Sequence, residues 1–173
     1  DRFLFAIPRT PPPPPPLPRI TVLDRQGKPL QTVGEAGRYG DPTLSPDGSH
    51  LLVRKFPETV GNTEIWSFDV ATGRSVLITS NLNMPPGMLW SPDGKQVFYV
   101  VNQPGGFNAI MRRAADGSGS EEMLFRYTPG APVNINDITP DGKFLTFESG
   151  GVILILPLTG GGASPRQATE VAR

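Results

Sequence analysis

No cysteine occurs anywhere in the 173 residues, which excludes disulfides, thiolate nucleophiles and zinc–thiolate sites. Histidine is scarce too. His50 stands alone, so neither a His-based metal site nor a histidine pair can be assembled from this chain. Net charge is absent, with 16 basic and 16 acidic residues, and like charges go no further than pairs such as Arg112-Arg113 and Glu121-Glu122. Nucleic acid and anionic membranes call for a basic patch, so neither is an expected partner. Apolar runs stop at five residues, as in Val152 to Leu156, far short of the roughly 20 that a membrane span requires. No direct membrane insertion of this segment is expected, and no signal peptide is recognisable. The first residue is Asp1 rather than Met, and the expectation is a segment of a longer protein.

Two residue types are abundant. The 21 prolines and 20 glycines approach a quarter of the chain, and the apolar runs between them are short and regular. That combination reads as many turns joining short strands. The turns also repeat. Ser45-Pro46-Asp47-Gly48 recurs as Ser91-Pro92-Asp93-Gly94 and as Thr139-Pro140-Asp141-Gly142, with starts 46 and then 48 residues apart. A period in this range marks a repeat architecture. Proline presets φ at the second turn position, Asp tolerates the third, Gly accepts positive φ at the fourth, and the Ser or Thr hydroxyl can bond nearby backbone. The three Asp residues could instead be ligands, but a turn already accounts for them.

Each turn leads into a β-prone apolar stretch: Leu51-Leu52-Val53, Val97 to Val101, and Phe144 to Phe147. Asp1 to Ala6 has the same character and reads as the second strand of a blade whose first strand lies upstream. A proline-rich insert, 8–18, follows. Its run Pro11 to Pro16 cannot join a ladder and favours polyproline II. It reads as a stiff spacer, with a ligand for an aromatic-lined groove as the functional alternative. Arg19–Leu23 and Pro29–Val33 form a hairpin that completes this partial blade (1–33), and Gly34 to Gly40 connects onward. Three further blades follow at 41–79, 87–127 and 134–169. Their predicted strands are Asp41–Ser45, His50–Lys55, Glu64–Asp69 and Arg74–Thr79; then Met88–Ser91, Gln96–Val101, Asn108–Arg113 and Glu121–Arg126; then Ile135–Thr139, Lys143–Glu148, Val152–Pro157 and Arg166–Thr169. No segment carries a helical period.

Four short antiparallel strands per repeat of about 46 residues is the pattern of a β-propeller blade. The fold class is therefore all-β: a propeller segment of about three and three-quarter blades. One blade cannot bury both of its faces without neighbours. Nothing after Thr169 supplies the strand missing from the first blade, so an open part of a larger ring of roughly six to eight blades is expected. Exposed end faces would then favour self-association.

The succession of apolar strand, Ser-Pro-Asp-Gly, apolar strand, Glu64-Ile65-Trp66-Ser67-Phe68-Asp69 and Thr72-Gly73-Arg74 resembles the TolB-type, WD-like propeller repeat. Val22-Leu23-Asp24-Arg25-Gln26-Gly27-Lys28 followed by Tyr39-Gly40-Asp41-Pro42-Thr43-Leu44-Ser45-Pro46-Asp47-Gly48 is similar to the propellers carried behind bacterial serine/threonine protein kinase domains. Leu89-Trp90-Ser91-Pro92-Asp93-Gly94 fits the same pattern. The likeness extends over Arg19 to Thr169. It departs at Asn136-Asp137-Ile138-Thr139, where Trp-Ser is usual, and at the proline run. The resemblance implies a non-catalytic sensing or interaction module in the periplasm or otherwise outside the cytoplasm, with any kinase part elsewhere.

Catalytic and cofactor motifs are missing. There is no Gly-x-Ser-x-Gly nucleophile elbow. Gly117-Ser118-Gly119 and Gly160-Gly161-Gly162 neither open a helix nor lead into Gly-Lys-Ser/Thr, which removes the phosphate-cradle reading. His50, just after the first turn, reads as an exposed strand-edge residue. Trp66, Phe68, Trp90, Phe98, Tyr99 and Phe147 read as packing between blades. No cofactor and no catalytic residue are assigned. Asn134 and Asn136 fall on one face of an innermost strand with Asp137 opposite, and Asp41 and Asn83 come from the same end. These five are the candidate channel-mouth site for a protein, a peptide or a small ligand, or a weak cation site. The functions in view are a sensor or scaffold behind a kinase, a propeller gating a prolyl-peptidase-type hydrolase, and a free-standing TolB-like scaffold.

Overall fold

A computed structural model of the protein describes residues 15–58, 62–82, 87–103, 107–127, 132–159 and 169–170. Each Pro-Asp-Gly turn closes a hairpin. Ser45 N–H donates to the His50 carbonyl and Gly48 N–H to the Ser45 carbonyl, both at 2.8 Å. The same two bonds recur at Ser91/Gln96 with Gly94, and at Thr139/Phe144 with Gly142. The three glycines have φ of 71°, 70° and 70°, which is where a residue without Cβ costs least.

The described residues are strands, turns and the links between them, with no helix. A two-stranded sheet holds β1 (Ile20–Leu23) and β2 (Pro29–Val33). Three four-stranded antiparallel sheets follow, each with its strands in sequence order. The second sheet holds β3 (Arg38–Leu44), β4 (His50–Phe56), β5 (Thr63–Asp69) and β6 (Ser75–Leu82). The third holds β7 (Met88–Trp90), β8 (Gln96–Gln103), β9 (Phe107–Ala114) and β10 (Glu122–Tyr127). The fourth holds β11 (Val133–Ile138), β12 (Phe144–Ser149), β13 (Val152–Pro157) and β14 (Thr169–Glu170).

Successive sheets stack face to face because strand residues alternate sides. On β8, Val97, Tyr99 and Val101 point back to Leu52, Ile65 and Ile78 of the second sheet. Phe98 and Val100 point forward to Leu145, Phe147, Leu154 and Leu156 of the fourth. A smaller core joins Val33 of β2 to Val53 and Phe68, with Ile20 and Val22 against it. Hydrogen bonds cross the same boundaries. Trp90 Nε1 donates to the Thr43 carbonyl at 3.0 Å. Arg113 of β9 donates to the Ile78 carbonyl of the second sheet and, at 2.7 Å, to the carbonyl of Gly117 in its own hairpin. The first strands β3, β7 and β11 are neighbours, so one edge of every sheet converges on a common axis.

Several expectations shift. The second sheet begins at Arg38 rather than Asp41, because Arg38 to Gly40 pair with Phe56 to Arg54. Thr169 and Glu170 pair with Ile155 and Leu154, and residues 166–168 of the predicted Arg166–Thr169 strand lie outside the described residues. His50 is half-buried on an interior strand, 6.3 Å from the Trp90 ring, and not at an exposed edge. Trp66 is only half-buried, with Nε1 on Glu64 at 2.8 Å. The reading of Asp1 to Ala6 as a strand, and Pro11 to Pro14 of the proline run, lie outside the described residues; Pro15, Pro16 and Pro18 are exposed.

Candidate functional site

Antiparallel succession sorts the connections onto two rims. The Pro-Asp-Gly turns and the β5–β6 and β9–β10 turns share one rim. The β4–β5, β8–β9 and β12–β13 connections share the other, together with the links from each sheet to the next.

On the turn rim the carboxylates are consumed by local bonds. Asp47 accepts from Ser45 Oγ at 2.6 Å, from Ser49 N–H at 3.0 Å and from Ser49 Oγ at 2.8 Å. These donors hold its pKa down at about 2, against an ordinary value of about 3.9. Asp141 accepts from Thr139 Oγ1 at 2.6 Å, from Lys143 N–H at 3.1 Å and from Lys143 Nζ at 3.1 Å, and its pKa is likewise about 2. Asp93 takes Ser91 Oγ at 2.5 Å and Lys95 N–H at 3.0 Å, and lies below the usual range for the same reason. The first-position hydroxyl works in both directions. It donates to the Asp and accepts from the amide five residues on, at 2.9 Å for His50 and Gln96 and 3.1 Å for Phe144. With every Asp satisfied inside its own turn, these three residues set hairpin register.

The candidate mouth residues lie along the inner strands rather than on one rim: Asn134 is near the start of β11 at the opposite rim, whereas Asn136 and Asp137 are near its end, just before the Thr139 turn, and Asp41 is in the middle of β3. β11 alternates Val133 and Ile135, both buried, with Asn134, half-buried. A bulge between Ile135 and Asp137 then breaks the alternation. It leaves Asn136 and Asp137 both exposed and returns Ile138 to the core. Asp137 is therefore not opposite Asn136, as strict alternation requires, but exposed beside it. Its carboxylate accepts from Ile138 N–H at 2.8 Å.

β3 has a matching irregularity between Gly40 and Thr43. Asp41 sits there with φ of 51°, the one non-glycine residue at positive φ among those described, and its carboxylate pairs with Arg54 of β4. Gly87, at the equivalent point before β7, has φ of 90°. Register irregularities thus occur in two of the three inner strands, β3 and β11, and polar side chains gather at both. Asn134, Asn136 and Asp137 are together on β11. Asp41 is on β3, with β7 between the two strands. Asn83 lies outside the described residues. Among the described residues no three His, Cys, Asp or Glu are grouped to hold a metal.

No protein-family model matches the chain, and no curated protein does. Solved structures do match. TolB from Acinetobacter baumannii is 24% identical over 84% of this chain and 38% of its own, with a TM-score of 0.63. A putative TolB from Agrobacterium tumefaciens is 20% identical over 82% of this chain and 52% of its own, with a TM-score of 0.63. The fold is a partial β-propeller of the TolB type. A prolyl endopeptidase shares it at 14% identity, over 86% of this chain and 25% of its own, with a TM-score of 0.63. The chain spans well under two thirds of each of these proteins.

Sequence reasoning missed the Asp41–Arg54 pair and both inner-strand bulges. Asp41-Pro42 carried a signal, because Pro42 cannot donate to the ladder and forces an irregularity within the strand. Asn136-Asp137 carries no comparable mark.

Proposed function

We propose that this propeller is a non-catalytic interaction or sensing module whose recognition surface is the polar inner strand β11. The observation that carries the reading is the bulged inner strand, where Asn134, Asn136 and Asp137 present amide and carboxylate groups, Asp137 standing at the position occupied by Leu89 in β7 and Thr43 in β3. A bulge re-aims side chains at functional edges, and this one costs a ladder pairing without adding to the core. The partner is a protein, a peptide or a small ligand with donors and acceptors for the amides. The Asp residues of the Pro-Asp-Gly turns support the assignment by contrast, because their carboxylates are already saturated within the turns.

In the full protein the module acts as the C-terminal sensor or scaffold of a bacterial serine/threonine kinase or related regulator, as part of a larger ring outside the cytoplasm. The resemblance of the Val22 to Lys28 hairpin and the blade after it supports this placement, and the likeness to TolB structures supports the compartment. A second reading, a propeller gating a hydrolase, is favoured by the likeness to a prolyl endopeptidase. The flanking reading frame separates the two. A kinase catalytic loop and a single membrane span upstream support the first reading, and Gly-x-Ser-x-Gly downstream replaces it with the second. Affinity capture from an envelope extract tests the surface. The Asn134→Ala/Asn136→Ala protein should lose a protein bound by the wild type while keeping its melting temperature. An unchanged bound set removes β11 as the recognition surface.

A further inference from the structure

The second and third sheets use their second strands, β4 and β8, to cover the sheet that follows, and among the described residues the first sheet has two strands, β1 and β2, in the places of the third and fourth. An apolar groove of about 770 Å³ lies where the other two belong. Ile20, Val22, Leu44, Leu51 and Val53 are among its walls. Matched positions show that the groove is a vacancy in the repeat. Leu44 is 58% exposed, whereas Trp90 and Ile138, which occupy the same place before their turns, are 8% and 7% exposed. β1 also has an unpaired side among the described residues.

We infer that the chain fills this groove itself, with Phe3 to Ile7 as the second strand of the first blade, antiparallel to β1. Arg2-Phe3-Leu4-Phe5 aligns with Lys143-Phe144-Leu145-Thr146 at the start of β12, with Phe and Leu in common. Carried to the other blades, Phe5 takes the place of Leu52 and Phe98, and Leu4 the place of Leu51 and Val97. Leu52 and Phe98 are the residues that point forward into the next sheet. Phe5, with Ile7 two residues on, therefore enters the groove, and Leu4 and Ala6 face away from it. The register agrees from the β1 side. Leu52 pairs with Ser67 and Phe98 with Arg112; matching Asp24 to Asp69 places Val22 opposite Phe5 and Ile20 opposite Ile7. Ile20, Thr21 and Val22 all line the groove; of these Ile20 and Val22 are half-buried against the Val33, Val53 and Phe68 core, while Thr21, like Leu23, is exposed. Aromatic and β-branched pairs of this kind suit adjacent strands. Residues 8–19 then become a closed loop tethered at both ends, on the same rim as the β4–β5 connection.

Cysteine placement tests this cleanly in a chain that has none. In the full chain carrying Ala6→Cys and Thr21→Cys, the two positions face each other across the proposed pair. Mild oxidation should form an intramolecular disulfide about tenfold or more faster than in an Ala6→Cys/Ser118→Cys control, reflecting the higher effective concentration. Equal rates, or disulfide-linked dimers only, overturn the inference. A urea series gives a second readout. Phe5→Ser should lower the unfolding midpoint clearly and Leu4→Ser much less, and equal shifts for the two also overturn it.

Discussion

Ile110 and Ile153 occupy the same place in consecutive blades, opposite Val100 on β8 and Glu148 on β12. Their surroundings differ. Ile110 is 1% exposed between the third and fourth sheets, and Ile153 is 61% exposed on the last face. Truncating each to Ala measures what a neighbouring blade contributes. Removing three carbons from a sealed site loses about 2.4 kcal/mol of transfer free energy at about 0.8 per methylene. The cavity left behind adds to that, giving about 3–4 kcal/mol for Ile110→Ala. Ile153 has about two fifths of its surface covered and no enclosing partner, so the same truncation costs about 1 kcal/mol. With a urea m-value of about 2 kcal/mol/M for a domain of this size, the midpoint falls by about 1.5–2 M for Ile110→Ala and about 0.5 M for Ile153→Ala. Equilibrium urea unfolding followed by tryptophan fluorescence reads both. Equal shifts at low micromolar protein would refute the reasoning, because Ile153 would then be buried in solution by a copy or a segment resting on the last face.

Acid should destabilise the protein through its turns. Asp47 and Asp141 have pKa values held at about 2 in the folded state, below the unfolded value of about 3.9. Their contribution is therefore complete above about pH 5 and is lost as pH falls from about 4 toward 2. Melting temperatures across that window should drop, and Asp47→Asn/Asp141→Asn should flatten the drop; an unchanged acid limb would remove these turns as its cause. Gly87→Ala should cost about 2–3 kcal/mol, since a Cβ at φ of 90° would lie 2.9 Å from Ile135 Cγ1 and 3.2 Å from its carbonyl oxygen. Gly48→Ala, with nothing near its missing Cβ, should cost only about 1–2 kcal/mol for the left-handed backbone. Chemical denaturation of both variants checks the difference.

What sequence shows here depends on the distance over which it is determined. Pro-Asp-Gly turns are local chemistry, so their three copies give the hairpins, the strand order and the propeller class directly. Alternation likewise identifies Phe98, Tyr99 and Phe147 as core. Strand starts were less legible. Arg38 to Gly40 look like loop because Gly37 and Gly40 flank them, yet β4 offers a ladder and they take it. His50 reads as exposed from its place after a turn, and only the arrival of Trp90 from the next blade half-buries it. For the candidate site, the polar character of β11 was legible while its geometry was not. The bulge at Asn136 depends on pairing with β12, and the partner of Asp41, Arg54, is fixed by the β3–β4 register.

The Pro-Asp-Gly turns keep one length while the opposite rim does not. Residues 45–49, 91–95 and 139–143 join their strands identically, and each turn fixes the register of the hairpin it closes. On the other rim the hairpin connections run from residues 57–62 in one blade to 104–106 and 150–151 in the next two, with every sheet still in register. Loop closure becomes only slightly harder as a connection grows. That rim is where a tag, a fluorophore or a grafted epitope can be carried.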